Sequence, residues 1–166
     1  MPLPAEPAPE ASPLRDIELS LPLQLLKARE AAMAHFRPML RRHGLTEQQW
    51  RVIRVLASAG ALDGRELARR CFLLAPSLTR IVQHCETTGL VKRGAHQSDQ
   101  RRVLFELTSR GRALFDTVAP DSERLYRGIE AQFGTSKLRA LYRLRRESEE
   151  EERMLQQALR QTAAGN

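Results

Sequence analysis

The sequence predicts a mainly α-helical protein with one small β-hairpin. Apolar residues recur at three- and four-residue steps along most of its 166 residues, the signature of one buried helix face. The period changes to two only around residues 90–107, between two polar or glycine-bearing stretches. Leu and Ala supply much of the apolar content and only 5% of residues are aromatic, a choice that favours helix through its low side-chain entropy cost.

In chain order, residues 1–16 read as a disordered tail, since five of the nine prolines fall in the first thirteen positions. From Ile17 to about His43, Leu21, Leu25, Ala28, Ala32, Phe36 and Met39 or Leu40 mark one long helix. Pro38 predicts a kink or break near Arg37, and Gly44 closes the helix. Thr46 is an N-cap for a helix through Trp50, Ile53 and Leu56 that ends at Gly60. Asp63 and Glu66 form a DxxE capping box before the short helix GRELARRC. Pro76 suits the first turn of the next helix, although Ala75 before it is a poor cap. There Leu78, Ile81, Val82 and Cys85 make the apolar stripe, and Gly89 ends it. LVKR and VLFEL are strands around the polar loop GAHQSDQR. Thr108 caps a helix through Leu114, Val118, Tyr126 and Ile129, with a bend expected at Pro120. A last helix from about Thr135 carries Leu138, Leu141, Leu144, Met154, Leu155 and Leu159; its RESEEEER segment is too charged to be buried in a small core.

The net charge of +7 is unevenly distributed. Residues 37–112 hold 15 Lys and Arg against six acids, while the remainder holds 12 against 14. A basic block between neutral flanks is the footprint of phosphate binding. Helix, helix, turn, helix and a hairpin with a basic tip is the winged helix-turn-helix order, in which one helix enters the major groove and the hairpin reaches an adjacent minor groove. The helix after Pro76 offers Ser77, Thr79, Arg80, Gln83 and His84 opposite its apolar stripe, and Arg65 precedes it on the neighbouring helix. At the hairpin tip Asp99 can orient Arg101 through paired hydrogen bonds, with Arg102 next to it, for a narrow A·T-rich minor groove. Residues 45–112 are therefore read as the DNA-binding lobe, and 17–44 with 113–166 as a helical dimerisation region, whose apolar stripes exceed what one small lobe covers.

Other chemistries find little support. No P-loop, HExxH or GxSxG is present, so the chain does not read as an enzyme and no cofactor is expected. His35, His43, His84 and His96 are scattered, without metal-ligand spacing. Cys71 and Cys85 lie on apolar faces and lack CxxC spacing, so they read as inert thiols. No stretch reaches 18 apolar residues, so no membrane partner is expected and the location reads as cytoplasmic.

Three stretches, LTEQQWRVIRVL, ELARRCFLLAPSLTRIVQHCETTGLVKR and SDQRRVLFELTSRG, resemble the MarR family of transcriptional regulators, above all in the DxR wing signature followed by a strand and LTxxG. The resemblance covers about residues 18–160. It implies a homodimer paired through its first and last helices, binding double-stranded DNA at an inverted repeat. It also implies an effector pocket between the dimerisation helices and the DNA-binding lobe. More narrowly, LLKAREAAMAHFRPMLRRHGLTEQQWRVIRVL resembles the sub-branch that represses homoprotocatechuate degradation, and related regulators of nicotinate-type catabolism. In such a pocket Arg29, Met33, His35 and Phe36 would come from the first helix, and Trp50, Arg51 and Arg54 from the second. An apolar cleft with arginines suits a small aromatic or pyridine carboxylate, with Arg51 preferred over Arg29 as the partner of its carboxylate. A sequence-tolerant architectural DNA-binding protein and an oxidant-sensing regulator of the same family are the alternatives.

Overall fold

The computed structural model describes residues 17–95 and 103–164. After a 3-10 turn at Ile17–Leu19 come α1 (Leu21–Arg42), α2 (Glu47–Ala59), β1 (Leu62–Asp63), α3 (Gly64–Cys71) and α4 (Ala75–Thr87). Then follow β2 (Val91–Ala95), β3 (Val103–Leu107), α5 (Ser109–Phe133) and α6 (Thr135–Ala164). Helix dominates, as the apolar periods predict, and the small sheet is antiparallel in the order β1-β3-β2.

The chain divides into two compact units, one ending at His35 and one beginning at Phe36. In the first, the Lys27 ammonium pairs with the Glu18 carboxylate at 2.8 Å and Gln24 Nε2 donates to the Glu18 carbonyl at 2.7 Å. Leu21, Leu25 and Leu26 are exposed there.

The second unit holds the core. Met39, Leu40, Val52, Ile53, Leu56, Leu67, Val82 and Val118 are buried, each large side chain worth about 1.5–3 kcal/mol of burial. Local chemistry sets the helix starts. Thr46 Oγ1 accepts from the Gln49 N–H at 3.2 Å while Gln49 Oε1 accepts from the Thr46 N–H at 2.8 Å, a reciprocal capping box. Asp63 Oδ1 accepts from the Glu66 N–H at 2.9 Å, and Thr108 Oγ1 from the Gly111 N–H at 3.0 Å. These two acceptors satisfy first-turn N–H groups that no helical carbonyl can reach.

Three local expectations change. No break occurs at Pro38, since α1 is helical across it. α4 starts one residue earlier than Pro76 suggests, with Leu74 as N-cap and no side-chain cap hydrogen bond. The strand β1 was not expected; Leu62 and Asp63 pair with Phe105 and Leu104, a contact over forty residues that local periodicity does not encode. The α3–α4 turn is made without glycine. Phe72 takes the left-handed conformation at φ 49°, at a cost of about 1–2 kcal/mol for a residue with a Cβ.

Thr108 and Gly111 explain the LTxxG stretch. Thr108 Oγ1 donates to the Gly89 carbonyl at 2.7 Å, tying the start of α5 to the end of the α4–β2 turn. A Cβ at Gly111 would lie 2.0 Å from the Leu90 carbonyl oxygen. Only glycine permits that approach.

Candidate nucleic-acid interface and effector site

α4 buries Leu78, Val82 and Cys85 and turns Pro76, Ser77, Thr79, Arg80, Gln83 and His84 to solvent. Thr79 Oγ1 donates to the Ala75 carbonyl at 3.0 Å and keeps its lone pairs for another partner. The first turn carries no acid and no side-chain cap. Its N–H groups and the positive end of the helix dipole are therefore available to an anion. Arg65, exposed on α3, lines a largely apolar cleft with Thr79, so it borders the same face. Asp99, Arg101 and Arg102 lie outside the described residues.

The root of the wing is fixed to α4. Arg93 on β2 forms two hydrogen bonds with the Glu86 carboxylate, at 2.6 and 2.8 Å, and its guanidinium lies 5.6 Å from the Phe105 ring centroid. Lys92 and Glu106 pair across β2 and β3 at 3.1 Å. Glu86 is the first acid met along the polar side of α4, and Arg93 neutralises it. Seven residues separate the pair across a turn, which gives sequence reasoning no signal.

Not every basic residue of the lobe is open to a phosphate. Arg69 and Arg70 both bond Glu66, at 2.6–2.8 Å, and hold its carboxyl down at about 2. Cys71 and Cys85 are buried, and burial pushes both thiols up to about 11, which keeps them protonated and unreactive at neutral pH. Among the described residues, no cluster of His, Cys, Asp and Glu could hold a metal ion. No helix is long and apolar enough to cross a membrane.

Behind this lobe, α2 and α5 bring aromatic rings together with one arginine. Trp50 stacks on Phe115 with centroids 5.7 Å apart, and Phe36 meets Tyr126 at 4.9 Å. Arg54 donates to the Tyr126 hydroxyl at 2.7 Å. Trp50 is buried, yet its indole Nε1–H has no partner among the described residues, a state few buried donors are left in. Arg51 faces elsewhere and donates to the Cys71 carbonyl at 3.0 Å, bracing the end of α3. Helical geometry explains the split: residue 54 is i+4 from Trp50 and shares its face, whereas residue 51 is rotated by about 100°. That signal was available in the sequence, but Tyr126 as the partner was not. Arg29, Met33 and His35 belong to the first unit; Arg29 and His35 are exposed there, Arg29 lies beside Glu30, and Met33 is half-buried.

A family model described as the MarR family matches residues 43–102. The homoprotocatechuate degradative operon repressor of Escherichia coli is 47% identical over 125 residues, which are 75% of this chain and 84% of that protein. The chain belongs to the MarR family. A second relative, the HTH-type transcriptional regulator FarR of Neisseria gonorrhoeae, is 41% identical over 126 residues, 76% of this chain and 86% of its own. The solved structure of NadR in complex with 4-hydroxyphenylacetate is 40% identical, covers 80% of this chain and 94% of its own, and superposes with a TM-score of 0.70. The FarR and Escherichia coli relatives are transcriptional regulators, not enzymes. In MarR terms α3 and α4 are the helix-turn-helix, and β2 with β3 is the wing.

Proposed function

We propose that the protein is a cytoplasmic, homodimeric repressor that binds an A·T-rich inverted repeat and responds to a small aromatic acid. The observation that carries the DNA-binding reading is the polar face of α4. It is free of acids as far as Glu86, its N-terminus is uncapped, and Arg93 pins the wing beside it. In this reading Ser77, Thr79, Arg80, Gln83 and His84 meet the major groove. Pro76 and Arg65 lie against the backbone, and Arg101, oriented by Asp99 and flanked by Arg102, enters the minor groove. Replacing Arg80 or Arg101 by Ala is expected to cost about 1–3 kcal/mol on the operator, and Arg101→Ala to flatten the salt dependence. Operator titrations over a salt series check this; wild-type affinity in both variants would refute the reading. An architectural protein, in contrast, would bind operator and random DNA with comparable affinity.

The effector reading rests on the ring cluster. We propose a hydroxylated aromatic or pyridine carboxylate, of the kind NadR holds as 4-hydroxyphenylacetate or the related repressor's name indicates as homoprotocatechuate. Phe36, Trp50, Phe115 and Tyr126 would pack the ring, and a ligand oxygen would satisfy the orphaned Trp50 Nε1–H. Arg54 would exchange its bond to the neutral Tyr126 hydroxyl for an ion pair with the carboxylate, whereas Arg51 is held by the Cys71 carbonyl. Arg29, Met33 and His35 stay in the proposed ligand set on sequence grounds. Release requires the effector to prefer the conformation that does not fit DNA; about 1.4 kcal/mol of preference gives a tenfold loss of operator affinity. Calorimetric titration of these acids should show binding at least about tenfold weaker in Arg54→Ala, with Arg51→Ala close to wild type. No binding of any of them would end the aromatic-acid reading, and full binding by Arg54→Ala would end the role of Arg54.

A further inference from the structure

We propose that a second cleft, separate from the ring cluster, binds a small carboxylate or phosphate anion. The cleft measures about 430 Å³ and lies between the α1–α2 turn, the C-terminal end of α4 and the first turns of α5. Its polar lining consists of His43, Gln49, His84, Thr88, Arg110 and Thr117, with no carboxylate among the lining residues. Leu45, Leu90 and Leu114 give it an apolar side that a short carbon chain could cover.

The lining offers the Arg110 guanidinium and the Gln49 amide as donors. Arg110 lies against the α4–β2 turn, its guanidinium 3.9 Å from where a Gly89 Cβ would be, and no carboxylate pairs with it among the described residues. Gln49 has its carbonyl oxygen occupied by the capping box, which leaves the amide NH₂ as its free end. His43 Nε2 lies 3.1 Å from the Asp121 carboxylate, which sits behind the lining and also pairs with Arg124. That contact orients the His43 ring. Thr88 and Thr117 donate their hydroxyls to helix carbonyls and offer only lone pairs. The carbonyl end of α4 opposes an anion, but the His84 carbonyl is already bonded by the Thr88 N–H and the Thr87 and Thr88 hydroxyls. The positive N-terminal end of α5 acts in the favourable direction. The Arg110 guanidinium, with no acid in the lining, leaves a positive field in the cleft, and a mono- or dianion with a short apolar body complements it.

His84 belongs both to this cleft and to the polar face of α4. An anion that recruits the His84 ring would withdraw it from DNA, so occupancy should weaken operator binding. This consequence rests on the DNA-binding reading above, whereas binding itself does not. The test titrates succinate and inorganic phosphate into the full chain by calorimetry, against chloride at equal ionic strength. Saturable binding is expected in wild type and in Arg54→Ala. It should be at least about tenfold weaker in Arg110→Gln, which removes the cation, and in Thr117→Leu, which fills the cleft and keeps the charge. No saturable heat with either anion, or wild-type binding in both cleft variants, overturns the proposal. Without added anion, Arg110→Gln should bind operator like wild type. A weaker, less salt-dependent complex would instead mean that a DNA phosphate occupies the cleft, and would overturn the free-anion reading. Anion binding that survives in a chain without operator affinity would sink the repressor reading and leave this site standing.

Discussion

α4 and α6 carry the same kind of apolar stripe and meet opposite fates. Leu78, Val82 and Cys85 of α4 are buried against their own chain, whereas Leu141, Tyr142, Leu144 and Met154 of α6 remain exposed. Between those residues α6 carries Arg145 and Glu149, which pair with each other, and the acids at 150–152. Amphipathic periodicity says that a face will be covered but does not say by what. For α4 the covering surface is α2, α3 and the sheet. For α6 a second copy of the chain is the natural occupant, since an exposed stripe on a 30-residue helix is an association surface when it stays unpaired.

The contrast can be broken most sharply by placing a charge in each stripe. Val82→Asp should unfold the lobe, because an unpaired buried carboxylate costs several kcal/mol, about the whole margin of a small domain; thermal melting would register it. Leu144→Asp should leave melting of the lobe nearly intact and instead dissociate the dimer in sedimentation. Removing residues 138–166 should have the same effect, with operator affinity falling about 10²-fold or more as the half-sites bind independently. A wild-type monomer at micromolar concentration would remove the basis for the comparison.

Smaller effects sharpen it. Gly111→Ala should destabilise the lobe by about 1–3 kcal/mol, since the Leu90 backbone must move to admit the Cβ; Gly128→Ala on the same helix, where a Cβ meets nothing, should be neutral or stabilising. The smallest effect is expected at Glu66. Its carboxyl lies below its usual 4.5, at about 2, so its contribution is present above pH 4.5 and is lost as pH falls towards 2. Glu66→Gln should flatten acid denaturation over that window. It should also release Arg69 and Arg70, steepening the salt dependence of non-specific DNA binding by at most about 1–2 in slope.

Much of this architecture was readable in advance. Thr46, Asp63 and Thr108 each cap the helix assigned to them, VLFEL forms a strand from end to end, and Cys71 and Cys85 are buried as their helical positions require. The candidate site was less legible. The exposed residues of α4 were found because opposite faces of a helix follow from its period alone. Helical spacing alone puts Arg54 on the face of Trp50, but that Arg54 meets Tyr126 and that Arg51 is engaged by the Cys71 carbonyl depend on remote packing.

The sequence by itself determined the order of the elements, their caps, the basic block at residues 37–112 and the apolar face of each helix. These depend on neighbours within about one helical turn, and short-range sterics and hydrogen bonding act before any distant contact forms. Only the tertiary structure decided that Phe72 closes α3 in a left-handed conformation, that β1 joins β3, that Arg93 spends its charge on Glu86, and that Arg54 meets Tyr126. Each of these depends on which remote residue arrives at a given face. That arrival is set by packing of the whole second unit, where burial outweighs the roughly 1–2 kcal/mol of local preference that points the other way at Phe72.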